Sequence, residues 1–287
     1  MRIKLISPRM SLRPMDSEFK RRMSPSLALL TLAGLTPGHH TVTIEDENVE
    51  KLSYNDKPDL VGITVNVDTS KRAYDIARHY LNRNVNVILG GIHPSSVPGE
   101  AIQHASSVCI GEADTVWNRI LEDAEKGQLQ KFYQPQRIYD LKDCRAMDLS
   151  YVREARYLYT NVTYASKGCP HKCAFCYNSC DYVQRKYRNK PVSLVLKEIE
   201  AMKTKHVMFI DDNFIGNPQW TEEFADAVKP LGIKWNCAVS TDLINYPELL
   251  DKMAESGCQS LFIGFESINK DSLKGVTKNQ NKIELLA

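Results

Sequence analysis

The sequence has no long hydrophobic run: its longest nearly apolar stretch, Ser26 to Leu35, is about half the length of a transmembrane helix. No secretory signal pattern opens it, since Met1-Arg-Ile-Lys-Leu-Ile passes straight into a strand-like segment. Neither charge sign is in excess, with 37 Lys and Arg against 35 Asp and Glu and a formal net charge of +2. That balance removes any electrostatic argument for nucleic acid or an anionic membrane surface as partner. There is no internal repeat at a solenoid period and no low-complexity tract. With 14 Gly, 13 Pro and 43% hydrophobic residues, the chain is neither disordered nor collagen-like. The expectation is a soluble, cytoplasmic chain without a transmembrane segment, and 287 residues leave room for two domains.

What is present is alternation. Short strand candidates rich in Val and Ile fall at 3–7, 41–45, 60–65, 85–89 and 108–110. Helical patterns separate them: Ala73, Ile76, Ala77, Tyr80 and Leu81 recur at helical spacing, as do Val116, Trp117, Ile120, Leu121 and Ala124, the latter ended by Gly127. This predicts an α/β domain over 1–129 with a doubly wound, Rossmann-like parallel sheet, whose ligands sit beyond the carboxyl ends of its strands. Periodicity fades from 130 to 160, which reads as a connector. A second series follows over 161–287, with strands at 162–165, 206–210, 234–239 and 260–263 and helices after Pro191, Pro218 and Pro247. It reads as about four βα units of a partial (β/α) barrel, again with functional residues at strand carboxyl ends.

Eight cysteines are many for a cytoplasmic chain. Cys109, Cys144, Cys237 and Cys258 are scattered and read as small buried hydrophobes. Cys169, Cys173, Cys176 and Cys180 instead fall within twelve residues, directly after the first strand of the second series. The spacing C-x3-C-x2-C puts three thiolates on one short loop. They can hold three irons of a 4Fe–4S cube and leave the fourth open to an exogenous ligand, with Phe175 giving some shielding. Two other readings stay open: all four cysteines around a structural zinc, or Cys180 as a fourth iron ligand in an electron-transfer cluster.

Cys169-x3-Cys173-x2-Cys176, with an aromatic before the last cysteine and a βα series after it, resembles the radical S-adenosylmethionine superfamily. The resemblance implies that these three cysteines ligate a 4Fe–4S cluster. The open iron would chelate S-adenosylmethionine, whose reduction yields a 5′-deoxyadenosyl radical that abstracts hydrogen. Later segments agree. Phe209-Ile-Asp-Asp-Asn-Phe214 is similar to the D-D-N-F segment of cobalamin-dependent members, and Ser240-Thr-Asp242 ends the next strand. Gly264-Phe-Glu266-Ser267 resembles the family's G-x-E-S motif. The implied S-adenosylmethionine contacts are Phe175, Asp211, Asp212, Asn213, Ser240 and Glu266.

The resemblance extends forward. Ser24 to Gly34, Asp59 to Ile63, Gly90-Gly-Ile-His-Pro94 and Ile110-Gly-Glu112 are similar to the cobalamin-binding domain fused to many radical enzymes. Thr64, Asn66, Gly90, Gly91, His93 and Glu112 are the implied cobalamin contacts, the glycines allowing close backbone approach to a ligand. The D-x-H-x-x-G motif that supplies a cobalt-ligating histidine in other cobalamin domains is missing, and His93 reads as a turn residue. His39 and His40, after Pro37-Gly38, read as solvated.

The implied activity is cobalamin-dependent methylation of an unactivated carbon on a small-molecule or lipid-like substrate. An electron donor such as flavodoxin or ferredoxin is implied too, and the segment ending at Asn217 hints at lipids such as hopanoids. The alternatives are radical cyclisation or rearrangement, a non-catalytic homologue that binds only cluster or cobalamin, and a zinc-stabilised nucleotide-binding module. Family barrels have six βα units, so the end of this chain after four implies a truncation or a partner chain that completes the barrel, whose edge strand would otherwise be exposed.

Overall fold

A computed structural model describes residues 1–145, 147–180, 186–267, 269–278 and 281. It divides into two compact units, Met1–Tyr139 with Arg145–Thr160, and Asp140–Cys144 with Asn161–Ala287.

The first unit is built on six strands: β1 (Arg2–Ser7), β2 (Thr41–Asp46), β3 (Leu60–Thr64), β4 (Asn86–Gly90), β5 (Ser107–Cys109) and β6 (Phe132–Tyr133). They form one sheet in the order β2-β1-β3-β4-β5-β6, every pair parallel. Its helices are α1 (Leu27–Leu35), α2 (Ser70–Leu81), the short α3 (Ile92–Ser96) and α4 (Pro98–Ala101), and α5 (Trp117–Glu125). The strand order reverses between β1 and β3, which places a ligand crevice at their carboxyl ends.

Alternation along the strands explains the two cores. In β1, Ile3 and Leu5 join Leu29, Trp117 and Ile120 on one face, while Ile6 joins Val61, Ile76 and Tyr80 on the other. Both faces are covered, as an all-parallel sheet requires. The sixth strand lies inside the stretch read as a connector. At two residues it is too short to show a period, and it is found through Val108 N–H donating to Lys131 O at 2.9 Å and Ile110 N–H to Tyr133 O at 2.8 Å.

The second unit has a four-stranded parallel sheet of β7 (Val162–Thr163), β10 (His206–Phe209), β11 (Lys234–Val239) and β12 (Cys258–Ile263), adjacent in that order. Helices α6 (Val192–Ala201), α7 (Pro218–Val228) and α8 (Pro247–Glu255) connect successive strands, and α9 (Lys270–Gly275) follows the last. Strands that neighbour one another in chain order, each followed by a helix, are the wall of a partial (β/α) barrel, as expected. Between β7 and α6 the chain makes a separate antiparallel ladder of β8 (Ser166–Lys167) and β9 (Arg188–Asn189). The core is aromatic: Phe209, Phe214, Phe224 and Trp235 pack with ring centroids 4.9–5.9 Å apart. Edge strand β12 leaves Phe262 77% exposed. No helix among the described residues is long and apolar enough to cross a membrane.

Two sequence readings need correction, and one feature was not foreseen. His40 is not solvated, since its side chain is 2% exposed. Cys109, Cys144 and Cys237 are buried as expected, but Cys258 on the edge strand is only half-buried. Two lysines, Lys4 and Lys190, are fully buried, which composition does not betray.

Lys190 is the more consequential. Its Nζ lies 2.8 Å from both carboxylate oxygens of Glu198 and 3.7 Å from the Tyr164 ring centroid, and Thr163 Oγ1 donates to Glu198 at 2.9 Å. Removing one partner of a buried pair leaves the other charge uncompensated, so Lys190→Met is expected to cost about 3–5 kcal/mol in chemical denaturation. Lys190→Met with Glu198→Leu is expected to recover most of that loss. Equal losses in the single and double variants would show that the pairing is not what the lysine contributes.

Candidate active site

All four strands of the second sheet are parallel, so the residues after β7, β10, β11 and β12 share one edge. The cysteine loop leaves β8, turns at Gly168 (φ 82°), and returns through β9. Side chains and backbone groups from the other strand ends hold it there. Tyr177 Oη donates to Asp212 beyond β10 at 3.0 Å, and His171 Nε2 lies 2.8 Å from Asp242 Oδ2 and 3.4 Å from Ser240 Oγ beyond β11. On the α9 side, Ala174 N–H donates to Val276 O at 2.9 Å and Thr277 Oγ1 to Lys172 O at 2.8 Å. Lys278 reaches Glu266 beyond β12 at 3.1 Å and lies 5.6 Å from the Phe175 ring centroid.

Sequence reasoning missed His171, Tyr177 and Lys278. The signals for the first two were their places inside and just after the cysteine motif, whereas Lys278 carries no local mark.

The implied S-adenosylmethionine residues divide by exposure. Asp212, Glu266 and Phe175 are exposed, Phe175 by 55%, and Ser240 is half-buried. Asp211 and Asn213 are buried at 5% and 2% and are taken up by the protein itself. Asn213 Nδ2 donates to Ser240 Oγ at 3.1 Å while its Oδ1 accepts from Ser240 N–H at 3.1 Å, a two-way clasp between β10 and β11. Asp211 accepts from Ala165 N–H at 3.0 Å and from Ser166 Oγ, at the foot of the cysteine loop. These two are positioning residues. Glu266 adopts φ 60°, a left-handed conformation costly for a side-chain-bearing residue. Gly264 leaves space for it, because a Cβ there would lie 2.9 Å from Glu266 Oε1 and 3.2 Å from Lys278 Nζ.

Cys169, Cys173 and Cys176 offer three thiols on one short loop. All eight cysteines are free. Burial pushes the Cys169 thiol up to about 11, with Asp212, Cys176 and Cys173 adding to the rise against a hydrogen bond from His171. Thiols crowded with one another and a carboxylate lose their protons once a metal is present.

In the first unit, Thr64, Asn66, Gly90, Gly91 and Glu112 lie at or just beyond the carboxyl ends of β3, β4 and β5. Gly91 (φ 107°) meets no ligand space: a Cβ there would lie 2.8 Å from Val65 O and 2.9 Å from Val65 N, so its bareness serves backbone packing. Gly90 is under no such constraint, with Cys109 Cβ at an ordinary 3.7 Å. Asn66 is exposed, and its N–H donates to Thr69 Oγ1 at 2.9 Å. His93 is turned inward, with Nε2 3.0 Å from Tyr74 Oη and 3.4 Å from Glu100 Oε1.

Burial raises Asp211 from its ordinary 3.8 to about 6, against the opposing hydrogen bonds of Ser166 and Ala165 and the charge of Lys190. A carboxyl that binds its proton more tightly when folded contributes stability that is complete below pH 3.8 and lost as pH rises through about 6. Asp211→Asn is therefore expected to gain on the wild type by about 3 kcal/mol over that interval, read as the difference between two stability–pH curves. Parallel curves would show that Asp211 does not titrate in the folded state.

Residues 163–285 match the family model described as the radical SAM superfamily. Over 91% of its length the chain is 30% identical to bacteriochlorophyllide d C-12(1)-methyltransferase of Chlorobaculum tepidum, covering 60% of that protein. It is 29% identical over 92% of its length to the C-8(2)-methyltransferase of the same organism, covering 62%. It is 24% identical over 90% of its length to hopanoid C-2 methylase of Rhodopseudomonas palustris, covering 51%. The chain thus spans roughly half to two thirds of these relatives. The three-cysteine loop on a parallel strand edge lies within the match over 163–285, so it is the second unit that resembles the radical SAM superfamily.

Proposed function

We propose that the chain is the S-adenosylmethionine-cleaving portion of a C-methyltransferase that alkylates an unactivated carbon of a small-molecule or lipid-like substrate. The observation that carries this reading is the Cys169–Cys176 loop, tied across strand ends that offer Asp212, Ser240 and Glu266. The relatives support the methyl-transfer part, since each is named for methylation at a numbered carbon, of bacteriochlorophyllide d or of a hopanoid.

Cys169, Cys173 and Cys176 would hold the cluster. With cluster, S-adenosylmethionine and cobalamin bound, the chemistry supplied is one-electron cleavage of the sulfonium, hydrogen abstraction and methyl donation. Everything else falls to the chain's own groups. Asp212, Ser240 and Glu266 would bind the polar ends of S-adenosylmethionine, and Asn213 holds the Ser240 hydroxyl in one orientation. Asp242 fixes the His171 ring within the cysteine loop. Lys278 holds Glu266 in its left-handed conformation. A small redox protein of the flavodoxin or ferredoxin type would deliver the electron.

Cobalamin belongs to this reading through the first unit's strand order and the polar groups at its carboxyl edge. Thr64, Asn66 and Glu112 are the contacts it would use, whereas His93, engaged by Tyr74 and Glu100, would not ligate cobalt. His93→Ala is accordingly expected to bind hydroxocobalamin as the wild type does, measured by visible absorbance after gel filtration. Loss of the bound corrin in that variant would make His93 the axial ligand after all.

The cluster is tested by anaerobic reconstitution with iron and sulfide, followed by reduction and electron paramagnetic resonance. The wild type is expected to give a 4Fe–4S signal that shifts on adding S-adenosylmethionine, with 5′-deoxyadenosine as product. Cys169→Ala, Cys173→Ala and Cys176→Ala should each lose the signal, and Cys180→Ala should keep it. A signal indifferent to S-adenosylmethionine, or one lost with Cys180, would mean a closed cluster and would end the catalytic reading.

A further inference from the structure

One cluster of metal-ligating side chains lies outside the radical site, in the first unit. His39 and His40 follow the Pro37-Gly38 turn, where His40 N–H donates to Pro37 O at 3.0 Å. Adjacent residues in a strand point to opposite sides, but in this turn both imidazoles come to one side, with ring centroids 4.0 Å apart and planes inclined by 44°. Glu125, the last residue of α5, meets them there. Its Oε1 is 3.6 Å from His39 Nε2 and 3.7 Å from His40 Nδ1, and all three donor atoms lie within 4.8 Å of one another. Both separations exceed a hydrogen bond, so the carboxylate and the rings converge without bonding each other directly. The α-amino nitrogen of Met1 stands 3.1 Å from His40 Nδ1.

We propose that His39, His40 and Glu125 bind one first-row transition-metal ion of the zinc type. A tetrahedral ion with bonds of about 2.0–2.1 Å spaces its donors by about 3.3 Å. The two carboxylate–imidazole separations need close by only about a few tenths of an ångström. The two imidazole nitrogens, within 4.8 Å of one another, must be drawn together, and His40 Nδ1 gives up its contact with the Met1 amino group. Two imidazoles and one carboxylate select zinc, cobalt or nickel over calcium and magnesium, which prefer all-oxygen shells. The ion would join the end of α5 to the start of β2, because His40 immediately precedes Thr41. That is the amino edge of the sheet, opposite the carboxyl edge where Thr64, Asn66 and Glu112 lie, so the ion has a structural task and the assignment does not depend on the radical chemistry.

The test is titration of the 287-residue chain with cobalt(II) alone, followed by visible absorption and thermal melting. The expected result is one equivalent bound with nitrogen–oxygen ligand-field bands and a raised melting temperature. Binding should weaken at least about tenfold in His39→Asn, in Glu125→Gln and in His40→Asn. His39 and Glu125 side chains are 66% and 41% exposed, so the first two variants should fold as the wild type does. Thiolate-to-cobalt charge transfer without nitrogen–oxygen bands would place the ion on the cysteine loop and overturn the proposal. Unchanged affinity in the variants, or no binding at all, would also overturn it.

Discussion

Asp211 accepts from Ala165 N–H and from Ser166 Oγ at the end of β10, and the cysteine loop begins three residues after Ser166. The loop is irregular, and its position depends on what grips its two feet. At the first foot the grip is this buried carboxylate. At the other, β9 runs into Lys190, whose ammonium is held by Glu198 of α6, and Lys190 N–H donates to Ala165 O at 2.8 Å. Ala165 is thus held on both its backbone groups, its N–H by the Asp211 carboxylate and its carbonyl by the Lys190 N–H. Buried charge is tolerated only where it is paired and hydrogen-bonded: Asp211 takes the Ala165 N–H and the Ser166 hydroxyl at the loop's base, and Lys190 takes Glu198 of α6.

The upper part of the loop follows a different logic. Tyr177 and His171 reach the ends of β10 and β11, Ala174 and Phe175 reach the segment after α9, and most of these contacts are half-exposed. Water weakens such interactions individually, so the loop is secured by their number and by their spread over two strand ends and the segment after α9. This gives a site whose base is rigid and whose rim is polar and open, which suits the entry of a cofactor with charged ends.

Much of this was legible in the residues. The long strands of both units, the helices opened by Pro218 and Pro247, and the cysteine motif all have local signatures. Three of the four two-residue strands, β6, β8 and β9, do not, because a period of two cannot show itself in two residues. Asp211 and Asp212 make the limit sharper. They are the same residue type in one motif, yet the first is buried under the loop and the second accepts from exposed Tyr177. Successive side chains of an extended segment face opposite sides, and which side holds the loop is a tertiary matter. His40 likewise reads as a turn residue, and only the approach of Glu125, far along the chain, makes it part of a cluster.

The sequence by itself determined two alternating α/β series and a three-thiol loop after the first strand of the second, because hydrophobic period, helix-start prolines and cysteine spacing are local quantities. The tertiary structure alone decided which polar residues face the loop and which hold it up. It also decided that His93 is turned inward, that Gly91 serves Val65, and that Lys190 lies buried against Glu198. Each of those outcomes depends on a partner distant in the chain, and contact between distant residues is set by packing, which no local pattern encodes.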